Sequence, residues 1–489
     1  MTNLHRLGKS RLVGLLVVGV VIAGAAVGLL RPPSGQSRIR DAERITASGM
    51  RTDLEALAAI ATANAATRAL GTDGYAASAA YVEAALRAVG WTVSADTFDA
   101  PVFLDPGGSR LEIPAGPSFG RGDVAPLIYA PAGLVTARIV VLNWDPADPS
   151  PTGRGCSARD YPPESAGAIV AVRNGPCYRR DQVIAAQEAG AVGFVALNAA
   201  FGPGEVRRST LIRPDGLRIP ALAGSRTVGN ALAAIAAARQ PTGTDGRPAM
   251  VTLVTTGTTG IRPTRSILAE LPGTEPGRVV MLGAHLDSVL DGAGVDDDGS
   301  GVAALLALSR AAAAGPRARA TLRLAFWSGE EVGLLGSGRY VAGLDANERS
   351  RILAYLNADM LGSPNGFPGV YAEADAPPGS AALTADLQAA LEDLGSASVA
   401  VELGGGSDHA PFMQVGIPVG GVFSGALEPV TAPQAAASGS TFGLPPDPCY
   451  HLACDGPANV DVDRATTLAR ALCLVALRLA DDPGRLGGG

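Results

Sequence analysis

From Ser266 onward, short runs built almost wholly of apolar residues alternate with Ala- and Leu-rich segments. No other feature of the chain restricts its fold as strongly. The runs read RVVMLGAH, ATLRLAFWS and ILAYLNADM, and the stretch GVAALLALSRAAAA between the first two has the length and composition of a helix. A strand that is apolar on both faces has to be covered on both faces. The pattern therefore predicts an α/β architecture, a mostly parallel central sheet flanked by helices. Ligands of such sheets gather at the carboxyl ends of the strands. In this chain those positions hold His285 and Asp287 in GAHLDSV, Asp296, Asp297 and Asp298 in GVDDDGSG, Glu330 and Glu331 in WSGEEVG, and Asp359 in LNADM.

Carboxylates and a histidine crowded at the end of an apolar sheet repel one another unless a cation holds them ionised. Mixed imidazole and carboxylate donors suit zinc better than calcium or magnesium, which prefer all-oxygen shells. Adjacent Glu330 and Glu331 cannot easily both bind one ion, so one reads as a ligand and the other as the general base facing a water. The chain has only 4 His. One, His5, is in the leader, and besides His285 the remainder are His409 in GSDHAPF and His451 in DPCYHLACD. Spacing alone leaves His409 and His451 equal as a further ligand.

Other regions have a different texture. His5, Arg6, Lys9 and Arg11 precede an uncharged run over residues 12–30, long enough to span a bilayer. The positive flank predicts a single-pass anchor with its N-terminus inside, and small residues at 23–26 allow a cleaved signal peptide instead. Either way the rest of the chain is extracytoplasmic. Residues 53–93 predict two amphipathic helices broken at Gly71 to Gly74 and leading into a strand. Between about 117 and 256 the pattern shifts to short β-type runs separated by Pro and Gly, which reads as an inserted domain. Export permits disulfides, and the 5 Cys fall as Cys156 and Cys177, Cys449 and Cys454, and Cys473 alone in an apolar helical pattern. Two local bridges fit that distribution. A net charge of −7 with no basic stripe excludes a nucleic-acid binder.

GAHLDSV, DDDGSG, SGEEVGLLGS, NADMLGSPN and DPCYHLACD, in that order, resemble the secreted two-zinc aminopeptidase family, whose relatives include glutamate carboxypeptidase and the transferrin-receptor ectodomain. The resemblance covers the chain from about Asp53 to the final helix. It implies two Zn2+ per chain bridged by Asp297, with His285 and Asp359 completing one site and Glu331 and His451 the other. It implies Glu330 as general base, Tyr450 as donor to the oxyanion, and Asp287 as the carboxylate that orients His285. It favours His451 over His409, because the CYHLAC frame matches a ligand-bearing segment in which Cys449 pairs with Cys454. His409 and Asp408 become pocket or structural residues. The substrates implied are peptide or protein N-termini. SAGAIVAVRNGPCYRRDQVIAAQEAGAVGFVALN resembles a protease-associated domain, with Cys156 bridged to Cys177. The expected organisation is a leader at 1–35, a discontinuous peptidase domain at 40–115 and 257–485, and an inserted domain at 116–256.

Two departures stand out. Gly406 occupies a place where several relatives have Arg, and Asp296 one where they often have Asn. Three alternatives share the fold: a carboxypeptidase, which needs a cationic pocket for the terminal carboxylate; a glutaminyl cyclase, which uses one zinc; and a receptor-like relative that has lost its ligands. All five ligand positions are filled here, which speaks against the last. WSGEE lacks the small-residue frame of a serine nucleophile elbow.

Overall fold

The structure, a computed structural model, describes residues 35–487 apart from 115, 146, 148–153, 199–204 and 238–249. The apolar run at 12–30 lies outside the described residues. No helix among the described residues is long and apolar enough to cross a membrane.

Two eight-stranded sheets organise the chain. Across the first, the order is Thr92–Leu104, Thr258–Leu271, Ala320–Trp327, Glu275–His285, Ile352–Ala358, Val419–Phe423, Gly369–Tyr371 and Val399–Val401. Its four middle strands, 320–327, 275–285, 352–358 and 419–423, are mutually parallel. Antiparallel pairings occur toward both edges. The sheet is thus of the expected type, mostly parallel at its centre and flanked by helices. From Val279 to His285 the strand is buried at every position, which is why its sequence is continuously apolar.

Helix Gly299–Ala314 packs on this sheet with nearly all of its surface covered. Leu305 and Leu306 are 0% exposed, each contributing about 1.5–3 kcal/mol of burial. Asp298 caps its N-terminus, accepting from the Gly301 amide at 2.9 Å. Helices Ala47–Ala63 and Val462–Asp481 pack against it, and Asp73–Ala88 follows a Thr72 cap. Cys473 is a core thiol of the 462–481 helix, pushed up to about 12 by burial.

The second sheet runs Ser118–Phe119, Arg110–Glu112, Met250–Thr255, Gly133–Leu142, Ile169–Arg173, Gly193–Leu197, Ala221–Gly224 and Val124–Pro126. Val195, Leu222 and Leu253 form the heart of its own core, each 0% exposed. The chain crosses from the first sheet after Leu104 and returns at Thr258, two residues that face each other in the 92–104/258–271 ribbon.

Candidate metal centre

Parallel strands deliver their carboxyl-terminal residues to one edge, and the candidate ligands meet there. His285 ends the 275–285 strand, Glu330 and Glu331 follow the 320–327 strand, and Asp359 follows the 352–358 strand. Asp297 precedes the 299–314 helix, joined to Asp298 by a cis peptide bond. His285 Nε2 lies 3.1 Å from Asp297 Oδ1 and 3.6 Å from Asp359 Oδ1. His451 Nε2 lies 3.1 Å from Asp297 Oδ2 and 3.1 Å from Glu331 Oε2. Asp297 therefore presents one oxygen to each imidazole. His451 adopts a left-handed backbone, φ 59°, rarely populated outside glycine. A six-residue disulfide loop closes around it, Cys449 bonded to Cys454 with 5.3 Å between Cα atoms. The Tyr450 ring stacks on the His451 imidazole at 3.7 Å between centroids.

A ring of main-chain contacts holds these ligands. Asp298 Oδ1 accepts from the amides of Gly301 and Met360, and its Oδ2 from the amide of His285. Both oxygens are thereby used, so Asp298 ties three segments together although its position alone would suit a ligand. Asp455, just after Cys454, accepts from the amides of Asp296 and Asp297 at 2.8 and 3.2 Å, joining the His451 loop to the Asp297 turn. Asp296 accepts from the Gly362 amide and the Ser363 hydroxyl. Ser407 donates to Asp359 Oδ2 at 2.6 Å and accepts from Asn357. The link between Asp287 and His285 differs from the expected one. The main-chain carbonyl of Asp287 faces His285 Nδ1 at 2.9 Å, while its carboxylate accepts from the amides of Gly329 and Glu330. The sequence reading missed Asp455, Ser407 and a buried Arg68. Asp455 carried a signal, since it closes the DPCYHLACD segment.

The electrostatics fit a cation. Burial would depress His285, but Glu330, Asp297 and Asp359 hold it well above its usual value. Burial also opposes charge on His451, and Glu331 and Asp297 nevertheless raise it to about 10. Burial pushes Glu330 well above the carboxylate range, helped by Asp408, Glu331 and Asp359. Asp297 moves the other way, because the two imidazoles outweigh its burial. Among the described residues, the buried carboxylate oxygens without a hydrogen-bond partner belong to Asp287, Asp297, Glu331, Asp408 and Asp447. Asp297 Oδ2 is one of them despite lying 3.1 Å from His451 Nε2. Ligand atoms of His285, Asp297 and Glu331 all lie within 4.8 Å of one another, as do those of His285, Asp298 and Asp359. Imidazole with carboxylate in such clusters is a donor set suited to zinc.

The comparisons with known proteins identify the family of the chain. The model of peptidase family M28 matches residues 266–476, and a PA-domain model matches residues 135–232. The chain is similar to a probable lipoprotein aminopeptidase, LpqL, of Mycobacterium tuberculosis, 33% identical over 486 residues that cover 93% of this chain and 91% of that protein. The chain belongs to peptidase family M28. An aminopeptidase of Pseudomonas aeruginosa is 33% identical over 443 residues, 88% of this chain and 80% of that one. Two solved structures share the fold. The aminopeptidase of Aneurinibacillus sp. strain AM-1 has a TM-score of 0.68 at 22% identity, covering 91% of this chain and 96% of that chain. The zinc aminopeptidase of Bacillus subtilis has a TM-score of 0.69 at 19% identity, covering 90% and 96%.

In this M28 hydrolase a cavity of about 450 Å³ opens beside the candidate ligands. Glu331, Tyr450 and His451 line one wall, and Tyr178, Arg179 and Arg207 of the second sheet's segment line the other. The size is that of a small-ligand cleft. Arg208 secures the far wall, pairing with Asp291 at 3.0 Å and with Asp105 at 2.8 Å. Of the two pocket candidates, His409 is 0% exposed, 3.4 Å from Glu373 and edge-on to Tyr371, and Asp408 is 1% exposed. Neither lines the cavity. Both expected bridges are formed, Cys156 with Cys177 and Cys449 with Cys454. Such bonds belong to an oxidising, extracytoplasmic compartment.

Proposed function

We propose that the chain is a two-zinc aminopeptidase that removes N-terminal residues from peptides outside the cytoplasm. The observation that carries this reading is the placement of Asp297, one carboxylate oxygen 3.1 Å from each of two imidazoles. His285, Asp297 and Asp359 would hold one ion, and Asp297, Glu331 and His451 the other. Bound zinc would polarise the scissile carbonyl and acidify the attacking water. Glu330, whose affinity for protons is raised by burial, takes the water's proton on its carboxylate and delivers it to the leaving amine. Tyr450 remains protonated, since burial and the neighbouring Asp297, Glu331 and Glu330 push its phenol well up. Stacked on His451, it donates to the oxyanion. The carboxylates of Glu330 and Asp359 receive the substrate's free ammonium on their own, since this chain has Gly406 where several relatives have Arg. We place the enzyme on the outer side of the membrane, tethered by residues 12–30 with the N-terminus inside, or released where the leader is cleaved.

The test is hydrolysis of a panel of free and N-acetylated peptides by the purified protein, with zinc measured on the same sample. Cleavage of the free-amine peptides alone, lost with chelator and restored at about two zinc ions per chain, is the expected result. Cleavage of the blocked peptides, or full activity at a single ion, would overturn the corresponding part of the reading.

A further inference from the structure

Arg68 is 0% exposed and sits in the turn between helices Ala47–Ala63 and Asp73–Ala88. Its guanidinium hydrogen-bonds main-chain carbonyls: Nη1 donates to Leu286 O at 2.5 Å, Nη2 to Gly294 O at 2.5 Å, and Nε to Ala293 O at 2.8 Å. The backbone around it grips the same loop. The Arg68 amide donates to Ser288 Oγ at 2.9 Å, the Ser288 amide to Arg68 O at 3.4 Å, and the Thr67 hydroxyl to Val289 O at 2.9 Å. The loop held in this way begins immediately after His285 and ends three residues before Asp297. Burial lowers the pKa of Arg68, opposed by the fields of Asp455, Asp287, Asp298 and Asp297. Those carboxylates surround it electrostatically while its donors go to the backbone. A planar fork reaching three carbonyls fixes the angle of each; an ammonium on a flexible stem does not.

We infer that Arg68 is a positioning residue of the metal centre, clamping residues 286–294 so that His285 and Asp297 face each other before an ion binds. The inference rests on His285 and Asp297 being metal ligands. Arg68 acts through them and contributes no donor of its own to the metal. Its substitution changes zinc affinity, which a purely structural residue would leave alone while lowering stability.

The experiment uses the full chain stripped of metal, with zinc titrated in competition with a chromophoric chelator, for the wild type, Arg68→Lys and Arg68→Met. Circular dichroism and amide hydrogen exchange are followed in parallel. Zinc should bind about 10-fold more weakly to Arg68→Lys and on the order of 10–100-fold more weakly to Arg68→Met. Residues 286–297 should exchange faster, with strands 320–327 and 352–358 still protected. Folded variants with wild-type zinc affinity overturn the inference, whatever their melting temperatures. Should neither variant fold, the wild type decides. Protection of 286–297 in the metal-free protein supports the clamp, and protection that develops only with zinc refutes it. A wild type that binds no zinc would instead remove the reading of the centre on which the inference depends.

Discussion

On helix Arg179–Glu188, which packs in the second sheet's unit, buried polar side chains serve the backbone of that unit. Arg180 donates to the carbonyls of Arg213 and Asp215, Gln182 to that of Arg173, and Gln187 both donates to Gly216 O and accepts from the Arg218 amide. At the carboxyl edge of the first sheet the buried groups are mainly carboxylates. Asp298, Asp455 and Asp287 accept from main-chain amides, yet unmatched oxygens remain on Asp287, Asp297, Glu331, Asp408 and Asp447. Burying a charge without a partner is costly. The donors of Arg180, Gln182 and Gln187 are met within the fold, whereas the carboxylates at the first sheet's edge are left with oxygens that suit a cation. A substitution in one region should therefore damage stability, and in the other chemistry.

The widest separation should come from Asp297→Ala, which removes the oxygen facing each imidazole. It should abolish peptide hydrolysis and lower bound zinc, measured by activity assay and elemental analysis, and retention of both would erase the contrast. Glu330→Gln should reduce kcat by about 10²–10⁴-fold with zinc content unchanged. A parallel loss of zinc would move Glu330 from base to ligand. Ser407→Ala removes the donor to Asp359 and should weaken zinc binding by roughly 10–100-fold, visible in a chelator competition. The mirror-image case is Leu222→Ala in the second sheet. It should cost about 2–5 kcal/mol of that unit's stability, seen as a lower melting temperature, and leave kcat/KM unaltered well below the transition. A change in kcat/KM would mean that the cavity wall depends on the second sheet's packing.

Much of the centre could be read from the chain because parallel strands turn sequence order into spatial convergence. His285, Glu330, Glu331 and Asp359 each follow an apolar run, so periodicity alone marked them as neighbours. The choice of His451 over His409 was not available from spacing. It came from the resemblance, and the structure puts His451 against Asp297 and Glu331 while His409 is packed beside Glu373. Arg68 was illegible for a different reason: it lies on a turn, where no period separates an inward side chain from an outward one. The role of Asp298 was hidden by its neighbours. Three consecutive Asp residues look alike in the chain, and only the surrounding amides assign Asp296 and Asp298 to support and leave Asp297 facing the imidazoles.

Leu104 and Thr258 are paired across the antiparallel ribbon, so the chain departs for the second sheet and comes back at adjoining points. An excursion whose two ends nearly touch is topologically a plug-in: it can lengthen, shorten or be exchanged without rerouting the strands that carry the ligands. Because that excursion also supplies one side of the cavity, through Tyr178, Arg179 and Arg207, the choice of peptide could diversify over evolution while the hydrolytic machinery stayed fixed. Grafting the corresponding excursion from another member onto the 104/258 junction would exchange that side of the cavity as a cassette.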